Sequence, residues 1–260
     1  MITASIQVPT ENKTMASCAG YRCLDRDECY AYDQELKRAT FAHASEGCDT
    51  VQSDERLRFQ YLTKRGELEM ICADRVQQLM RCTYTSKLLF QRSLMLRNYA
   101  FWGFSDSIVD GFEQVAATVN DSRAISPKVA IGHVDVLAGV EDQPLGLFAT
   151  DAIAALEFLG EYAGVVKVHA DGANQFDPYG ISYPSVYEGG DLYVSAAEYG
   201  NVIRCINHSG RPNARFVPMV HDGILRIFCF TIAPIAKGEQ IFVDYGSAYW
   251  KATAITPVDF

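Results

Sequence analysis

The stretch RCINHSGRPNARF, residues 204–216, joins an apolar run to a dense cluster of hydrogen-bonding side chains. Asn207, His208 and Ser209 form the cluster, and Gly210 and Pro212 follow directly. Glycine and proline this close together indicate that the chain leaves a regular element and turns sharply. A simple turn does not need a histidine, and one histidine offers too few ligands for a metal ion. The polar cluster therefore indicates some other kind of binding.

Composition limits the classes of protein to which the chain can belong. The 260 residues are 48% hydrophobic, enough for one large domain or a core domain with a smaller companion. The net charge of −9 disfavours nucleic acid and suits a basic partner, although it could also serve solubility alone. We find no run near the ~20 apolar residues of a membrane span and no secretory signal peptide. The compartment stays open, with an intracellular location and a nucleus among the options.

The eight cysteines do not predict a metal site. Cys18, Cys23, Cys29 and Cys48, together with His43, are the only candidates for zinc ligands. Their spacings lack the paired C-x2-C knuckles of structural zinc sites. We therefore predict no metal and scattered, reduced thiols.

The pattern of apolar residues divides the chain near residue 124. Before it, a possible helix start at Ser53-Asp54-Glu55 leads into apolar residues at mostly three- and four-residue steps, which predicts helices. This stripe consists of Leu57, Tyr61, Leu68, Cys72, Val76, Leu79 and Met80. Further helices are expected over 87–99 and after Ser105. The sequence thus predicts a mostly helical region over 1–124.

After Lys128 the pattern becomes typical of short strands separated by turn residues. The strand-like runs are VAIGHVDVL, GLFAT, LEFLGEYAGVV, DLYVSA, ARFVPMV, ILRIFCF and QIFVDYG. One helical interruption is expected over 196–206. The predicted fold class is α+β, with a second domain over 125–250 and a short tail over 251–260.

Further motifs accompany the opening stretch, in a fixed order along the chain. They are QPLGLFA at 143–149, EYAG at 161–164, YGN at 199–201 and GEQIFVDYG at 238–246. Together with NHS and PN they resemble the SET-domain protein lysine methyltransferases, over about residues 130–250. The chain resembles the compact type without zinc-binding modules before or after the domain, as in some intracellular bacteria and large viruses. The resemblance implies several small β-sheets and a knot-like C-terminal crossing.

The resemblance also implies a site for S-adenosylmethionine, which would explain the polar cluster, because this cofactor is a zwitterion carrying a purine. The implied cofactor contacts are Leu145, Gly146, Leu147, Arg204, Asn207, His208 and Trp250. Arg204 has a second interpretation as a structural hydrogen-bond former, as does Asn213. Pro144 replaces the first glycine of the family's loop and removes one backbone donor.

The implied chemistry is methyl transfer to a lysine amine. Tyr245 would orient the amine where it meets the methyl group, and Tyr162 would form part of the same wall. Tyr199, Val243 and Tyr249 would line the substrate channel. Because Val243 replaces the usual Phe or Tyr, we expect room for di- or trimethylation.

The implied substrate is a basic protein such as a histone or a histone-like protein. We expect no direct binding of nucleic acid and no membrane association. Whether the helical region forms a homodimer or grips the substrate stays open. The alternative function is a SET-fold binding module that has lost its chemistry, which the change at Pro144 favours mildly.

Overall fold

The computed structural model describes residues 22–23, 57–90, 119, 124–134, 144–169, 176–184, 190–221 and 224–253. The strands are β1 (Arg22–Cys23), β2 (Arg58–Leu62), β3 (Leu68–Cys72), β4 (Thr83–Tyr84), β5 (Leu89–Phe90), β6 (Val129–His133), β7 (Leu145–Ala149), β8 (Phe158–Glu161), β9 (Val165–Val168), β10 (Gly180–Tyr183), β11 (Leu192–Ser195), β12 (Tyr199–Gly200), β13 (Asn207–His208), β14 (Ala214–His221), β15 (Ile224–Thr231) and β16 (Gln240–Val243). The helices are α1 (Ala73–Met80), a 3-10 helix (Val202–Cys205) and α2 (Ser247–Thr253). None of the described helices is long and apolar enough to cross a membrane.

The largest sheet has six strands in the order β13-β16-β7-β6-β2-β3. The strand β16 alternates as expected for a strand with one face on the core. In β16, Ile241 and Val243 are buried, whereas Gln240 and Phe242 are half-buried. The short strand β13 runs parallel to β16, which therefore lies between the NHS segment and β7.

Three smaller sheets complete the described structure, with the orders β1-β5-β9-β11-β10, β14-β15-β8 and β12-β4. The main apolar cluster draws buried residues from the three larger sheets and from the 3-10 helix, including Phe90, Leu147, Ile203 and Ile241, and Tyr84 of β4 packs against it. Each sheet is too small to bury its own apolar face, so the sheets depend on one another for stability.

The strands predicted after Lys128 are confirmed, because each of the seven runs contains a strand. The strand β10 was missed. The helical interruption expected over 196–206 is smaller than predicted: β12 comes first, and only Val202–Cys205 are helical. Asn201 explains the short turn, because its side-chain oxygen accepts the Ile203 N–H while its amide donates to the Glu161 carbonyl.

The helical prediction is wrong for residues 58–72. Tyr61 and Leu68 lie on the antiparallel pair β2–β3, and only the last part of the apolar stripe, from Val76 onward, lies on α1. The reason is the turn between the strands, where Gly66 adopts a φ of 78° that favours glycine. The helix start at Ser53 and the helices expected beyond residue 90 lie outside the described residues.

The segment 57–90 shares its sheets with the strands after residue 129. β2 runs parallel to β6, β5 runs parallel to β9, and β4 runs parallel to β12. The domain boundary near residue 124 stays a prediction about folding units. The described strands on its two sides are joined by backbone hydrogen bonds.

Candidate active site

Four residues that are far apart in the sequence meet at one end of the six-stranded sheet: Leu145, Asn207, His208 and Trp250. The Asn207 side-chain amide donates to the Leu145 carbonyl at 3.0 Å, which joins β13 to the start of β7. The His208 ring lies 4.8 Å from the Trp250 ring, between centroids, and this places α2 beside β13. We call these four residues the strand-end corner.

The hydrogen bond of His208 determines which of its ring nitrogens carries the proton. Its Nδ1 accepts the backbone N–H of Tyr245 at 3.2 Å, so in the neutral ring the proton lies on Nε2. The Asp244 carboxylate is 3.5 Å from the same nitrogen, but it is exposed and accepts the Gly246 N–H instead. Because Nδ1 is occupied, His208 acts here as a structural link to Tyr245 and not as a base.

Trp250 carries a polar atom without a partner in the described part of the chain. Its indole Nε1 is buried and makes no hydrogen bond, while the ring packs edge-on against His208 and Tyr249. A buried N–H without an acceptor costs about 1–3 kcal/mol. The corner therefore offers a donor to a ligand with acceptor atoms.

A cavity of about 1050 Å³ opens on the other side of Tyr245. Its walls are the segment 176–184, the start of β11 and the helix α2. The aromatic side chains that line it are Tyr162, Phe176, Tyr179, Tyr183, Tyr193, Phe216, Tyr245 and Tyr249. The rings of Phe176 and Tyr249 lie 5.1 Å apart and bring two of these walls together.

Tyr162 follows β8, and both its backbone and its side-chain hydroxyl form hydrogen bonds. Its backbone N–H donates to the Ile227 carbonyl at 2.7 Å, and its hydroxyl donates to the Tyr179 carbonyl at 2.7 Å. The side chain is only 4% exposed, and its ring packs edge-on against Phe216. Burial raises the pKa of the Tyr162 hydroxyl well above its ordinary value, although the Arg204 charge opposes this.

Tyr245 follows β16 and stands between the strand-end corner and the cavity. Its hydroxyl donates to the Ile206 carbonyl at 2.8 Å. Burial, followed by the neighbouring Tyr249 hydroxyl, raises the pKa of Tyr245 above its ordinary value. Both buried tyrosines therefore keep their protons at neutral pH and act as neutral hydrogen-bonding groups.

Three of the predicted site residues do not line the cavity and are not among the four corner residues, although Val243 is the strand partner of His208. Leu147 is 0% exposed and pairs with strands on both sides, and Val243 is 1% exposed in the same core. Tyr199 pairs with Thr83 and does not line the cavity. Alternation along a strand explains the first two, because Leu147 and Val243 occupy the positions that face the core.

The surroundings of Gly146 and Arg204 also give each residue a structural role besides the predicted cofactor contact. A Cβ on Gly146 would lie 2.7 Å from Val134 and 2.8 Å from the Gln240 amide, so close packing requires glycine there. Arg204 lies in the cavity wall, where its guanidinium donates to the Met80 carbonyl at 3.0 Å. This bond agrees with the structural interpretation of Arg204. Asn213 likewise makes side-chain bonds to Gln240 and Phe242.

The cavity residues Phe176, Asp177, Tyr179 and Tyr193 were not predicted from the sequence. The available signal was the concentration of aromatic residues between turn residues in FDPYGISYP, residues 176–184. No pattern of spacing connects them with Tyr162 or Tyr245, since they meet only through the β9–β11–β10 pairing.

The described residues contain no group of three or more metal-binding side chains. The zinc candidates near the N-terminus lie outside the residues whose side chains are described. Cys82, Cys205 and Cys229 are free thiols, and burial raises the pKa of Cys205 to about 12. Such a thiol is protonated at neutral pH and unreactive.

Comparison with known proteins assigns the strand-rich part of the chain to a family. Residues 145–246 match the SET domain. Its relatives include the histone-lysine N-methyltransferase MEDEA of Arabidopsis thaliana, 35% identical over 122 residues, which are 45% of this chain and 16% of MEDEA. The human histone-lysine N-methyltransferase SUV39H2 is 34% identical over 102 residues, which are 36% of this chain and 25% of that protein. The chain thus spans a quarter or less of these relatives.

Solved structures with a similar region include the polycomb repressive complex ctPRC2 bound to S-adenosylmethionine. It is 28% identical with a TM-score of 0.39, and the match covers 51% of this chain and 16% of that one. The TM-score is too low to support an inference about shape.

Proposed function

We propose that this protein transfers methyl groups from S-adenosylmethionine to the side-chain amine of a lysine in a basic protein. The observation that carries the proposal is the position of Tyr245. Its backbone N–H binds His208 of the strand-end corner, while its ring lines the cavity. A cofactor at the corner and an amine in the cavity would meet at this one side chain.

The strand-end corner fits the cofactor by the chemistry of its groups. Asn207 and the backbone around His208 would hold the amino acid portion, and the Trp250 indole would cover the adenine with its unpaired N–H as a donor. The Leu145 carbonyl already accepts from Asn207, which fixes the orientation of that amide. When bound, S-adenosylmethionine supplies an activated methyl group.

The cavity fits a lysine side chain that must lose its proton. An ammonium has no lone pair, so the amine must be neutral when it attacks the methyl group. The protonated tyrosines can orient the neutral nitrogen without taking a charge themselves. Alignment of amine and methyl is then the main contribution of the chain, and such effects are large.

The proposed substrate is a histone or a histone-like protein. Asp191 and Asp244 are exposed at the cavity, Asp177 also lines it, and the chain carries a net charge of −9. These charges favour basic sequences around the target lysine and disfavour nucleic acid. The names of the relatives, which are histone-lysine methyltransferases, support the same substrate class.

We also propose that the product is di- or trimethyl-lysine. Val243 has neither a ring nor a hydroxyl to hold a water in the methyl pocket, and it does not line the cavity. Mass spectrometry of a methylated substrate, over a long time course with saturating cofactor, tests this. Pure monomethyl-lysine at the end point would contradict it.

The second candidate is a silent SET-fold module that binds a protein partner. Pro144 favours it, because proline removes a backbone donor beside the corner. Calorimetry with S-adenosylmethionine separates the two functions, since a silent module without a cofactor site should release no heat.

The decisive experiment for activity is a labelled-methyl assay on core histones and other basic proteins, followed by mapping of the modified residue. Label on lysine in the wild type, lost in Tyr245→Phe, is the expected result. Binding of cofactor without transfer to any basic protein would favour the silent module.

A further inference from the structure

Arg204 is a buried cation with an unusual set of partners. Its side chain is 8% exposed, and none of the described carboxylates forms an ion pair with it. A buried charge is costly unless other groups stabilise it. The groups that do so here are a helix end, a thiol and an aromatic ring.

The first partner is the C-terminal end of α1. The guanidinium donates to the Met80 carbonyl at 3.0 Å, and α1 has no basic residue of its own in the last turn. A cation at this end interacts favourably with the helix dipole. The Cys82 thiol lies beside the same guanidinium, which lowers its pKa against the stronger, raising effect of burial.

The second partner is the ring of Tyr179. The guanidinium carbon lies 3.6 Å from the ring centroid, the geometry of a cation–π contact. Tyr179 is 38% exposed and belongs to the segment that precedes β10. Its backbone is also anchored, because its N–H donates to the Asp177 carboxylate at 2.9 Å and its carbonyl accepts the Ala196 N–H at 3.1 Å.

The carbonyl of the same Tyr179 accepts the hydroxyl of Tyr162 at 2.7 Å. A continuous set of contacts therefore runs from α1 through Arg204 and Tyr179 to the cavity wall. We propose that Arg204 is a positioning residue that fixes Tyr179 against the end of α1 and thereby sets the direction of the Tyr162 hydroxyl. The role of this wall in methyl transfer rests on the proposed function, whereas the mechanical link does not.

A lysine cannot replace Arg204 in this role. The planar guanidinium can donate to Met80 while its face covers the Tyr179 ring, but an ammonium is a point charge without such a face. Arg204→Lys should therefore keep the charge at the helix end and lose part of the hold on Tyr179. Arg204→Met should lose both.

The test that does not need activity uses fluorine NMR, with 3-fluorotyrosine incorporated at position 162. Arg204→Met should shift or broaden the resonance, Arg204→Lys should give an intermediate change, and Arg215→Met should leave it unaltered. Arg215 is the matched control because it is exposed on β14. Tyr179→Leu removes the ring but keeps the Tyr179 carbonyl and the Arg204 bond to Met80, so it should reproduce the change.

Kinetic measurements then distinguish a positioning role of Arg204 from a general effect of the substitution on protein stability. Arg204→Met should lower turnover about tenfold with cofactor affinity unchanged, because small misplacements at a reacting centre are costly. In a Tyr162→Phe background the same substitution should have less than about a twofold effect, since the hydroxyl is gone. An unchanged fluorine resonance, or an equal effect in both backgrounds, would overturn the proposal. A wild type that transfers no methyl, but shows the fluorine shift, would overturn only the proposed function.

Discussion

The two sides of Tyr245 are built by different means. The strand-end corner lies where β13, β16 and β7 run side by side, and three of its four residues, all but Trp250, lie on paired strands. The cavity wall opposite comes from the segment before the edge strand β10, and side chains hold it: Tyr162 to Tyr179, and Phe176 to Tyr249. The corner is therefore specified by the fold, and the wall by particular side chains.

The difference has a chemical consequence. A corner fixed by paired strands suits a ligand that is the same in every reaction, since backbone geometry changes little with surface substitutions. The side chains that hold the cavity wall can be substituted with little effect on the sheets. Such a wall suits a binding site that selects the substrate. Substitutions on the two sides should thus differ in which constant they alter, cofactor affinity or turnover.

The largest effect should come from removing the segment before residue 125. A fragment of residues 125–260 loses the parallel partners of β6, β9 and β12, and exposes apolar strands such as Val129–His133. We expect it to aggregate, because exposed apolar strand edges associate. Size-exclusion chromatography and circular dichroism of the fragment beside the full chain provide the measurement.

The fragment also tests whether the two sides depend equally on that segment. A soluble fragment that binds cofactor but lacks transfer would mean that the corner folds alone and only the wall needs residues 57–90. The control is a chain of residues 1–253, which lacks only the end of the tail and should behave as the full chain.

The next largest effect should come from Tyr245→Phe. The change removes the hydroxyl that donates to Ile206 and little volume. Turnover should fall by about two orders of magnitude, the usual consequence of losing one positioned polar group at a reacting centre. The methyl-transfer rate at saturating cofactor measures this. Tyr61→Phe on β2 is the control, and a wild-type rate in Tyr245→Phe would remove Tyr245 from the site.

A smaller effect, confined to the corner, should come from Asn207→Ala. The substitution removes the amide that joins β13 to Leu145, and we expect cofactor binding to weaken by about 1–3 kcal/mol. Calorimetry gives the affinity, and thermal unfolding gives the stability. Asn213→Ala is the matched control: it removes bonds to β16 and should lower stability with little change in affinity. Equal affinities in Asn207→Ala and the wild type would argue against the corner as the cofactor site.

The corner was also the part that the sequence predicted best. Leu145, Asn207, His208, Trp250 and Tyr245 come together because motif order and strand pairing carry that information. Val243 and Leu147 face the core and do not line the cavity, and their predicted roles stay predictions, since a motif position does not tell which face of a strand points toward the core. The wall residue Tyr179 could not be predicted, because its contacts arise only when β9, β11 and β10 pair.

The same limit explains the error over residues 58–72. Apolar residues spaced three, four and seven apart fit a helix, but they also fit two short strands separated by a turn. Tyr61 and Leu68 were assigned to one helix for this reason, although Gly66 between them was a turn signal. What fixes β2 as a strand is its pairing with β6, about seventy residues further on.

The smallest and sharpest test of the corner is Trp250→Phe. Phenylalanine keeps an aromatic face toward His208 but removes the buried Nε1–H, which has no partner among the described residues. If this N–H donates to the cofactor, affinity should fall about two- to tenfold, the range of one net hydrogen bond of roughly 0.5–1.5 kcal/mol. Stability without cofactor should stay the same or rise, because an unsatisfied donor has been removed.

The chain contains only one other tryptophan, Trp102, so a Trp102→Phe background makes the indole of Trp250 a direct fluorescent reporter of cofactor binding. Wild-type affinity in Trp250→Phe would show that the ring alone matters, and an indole emission indifferent to cofactor would place the ligand elsewhere.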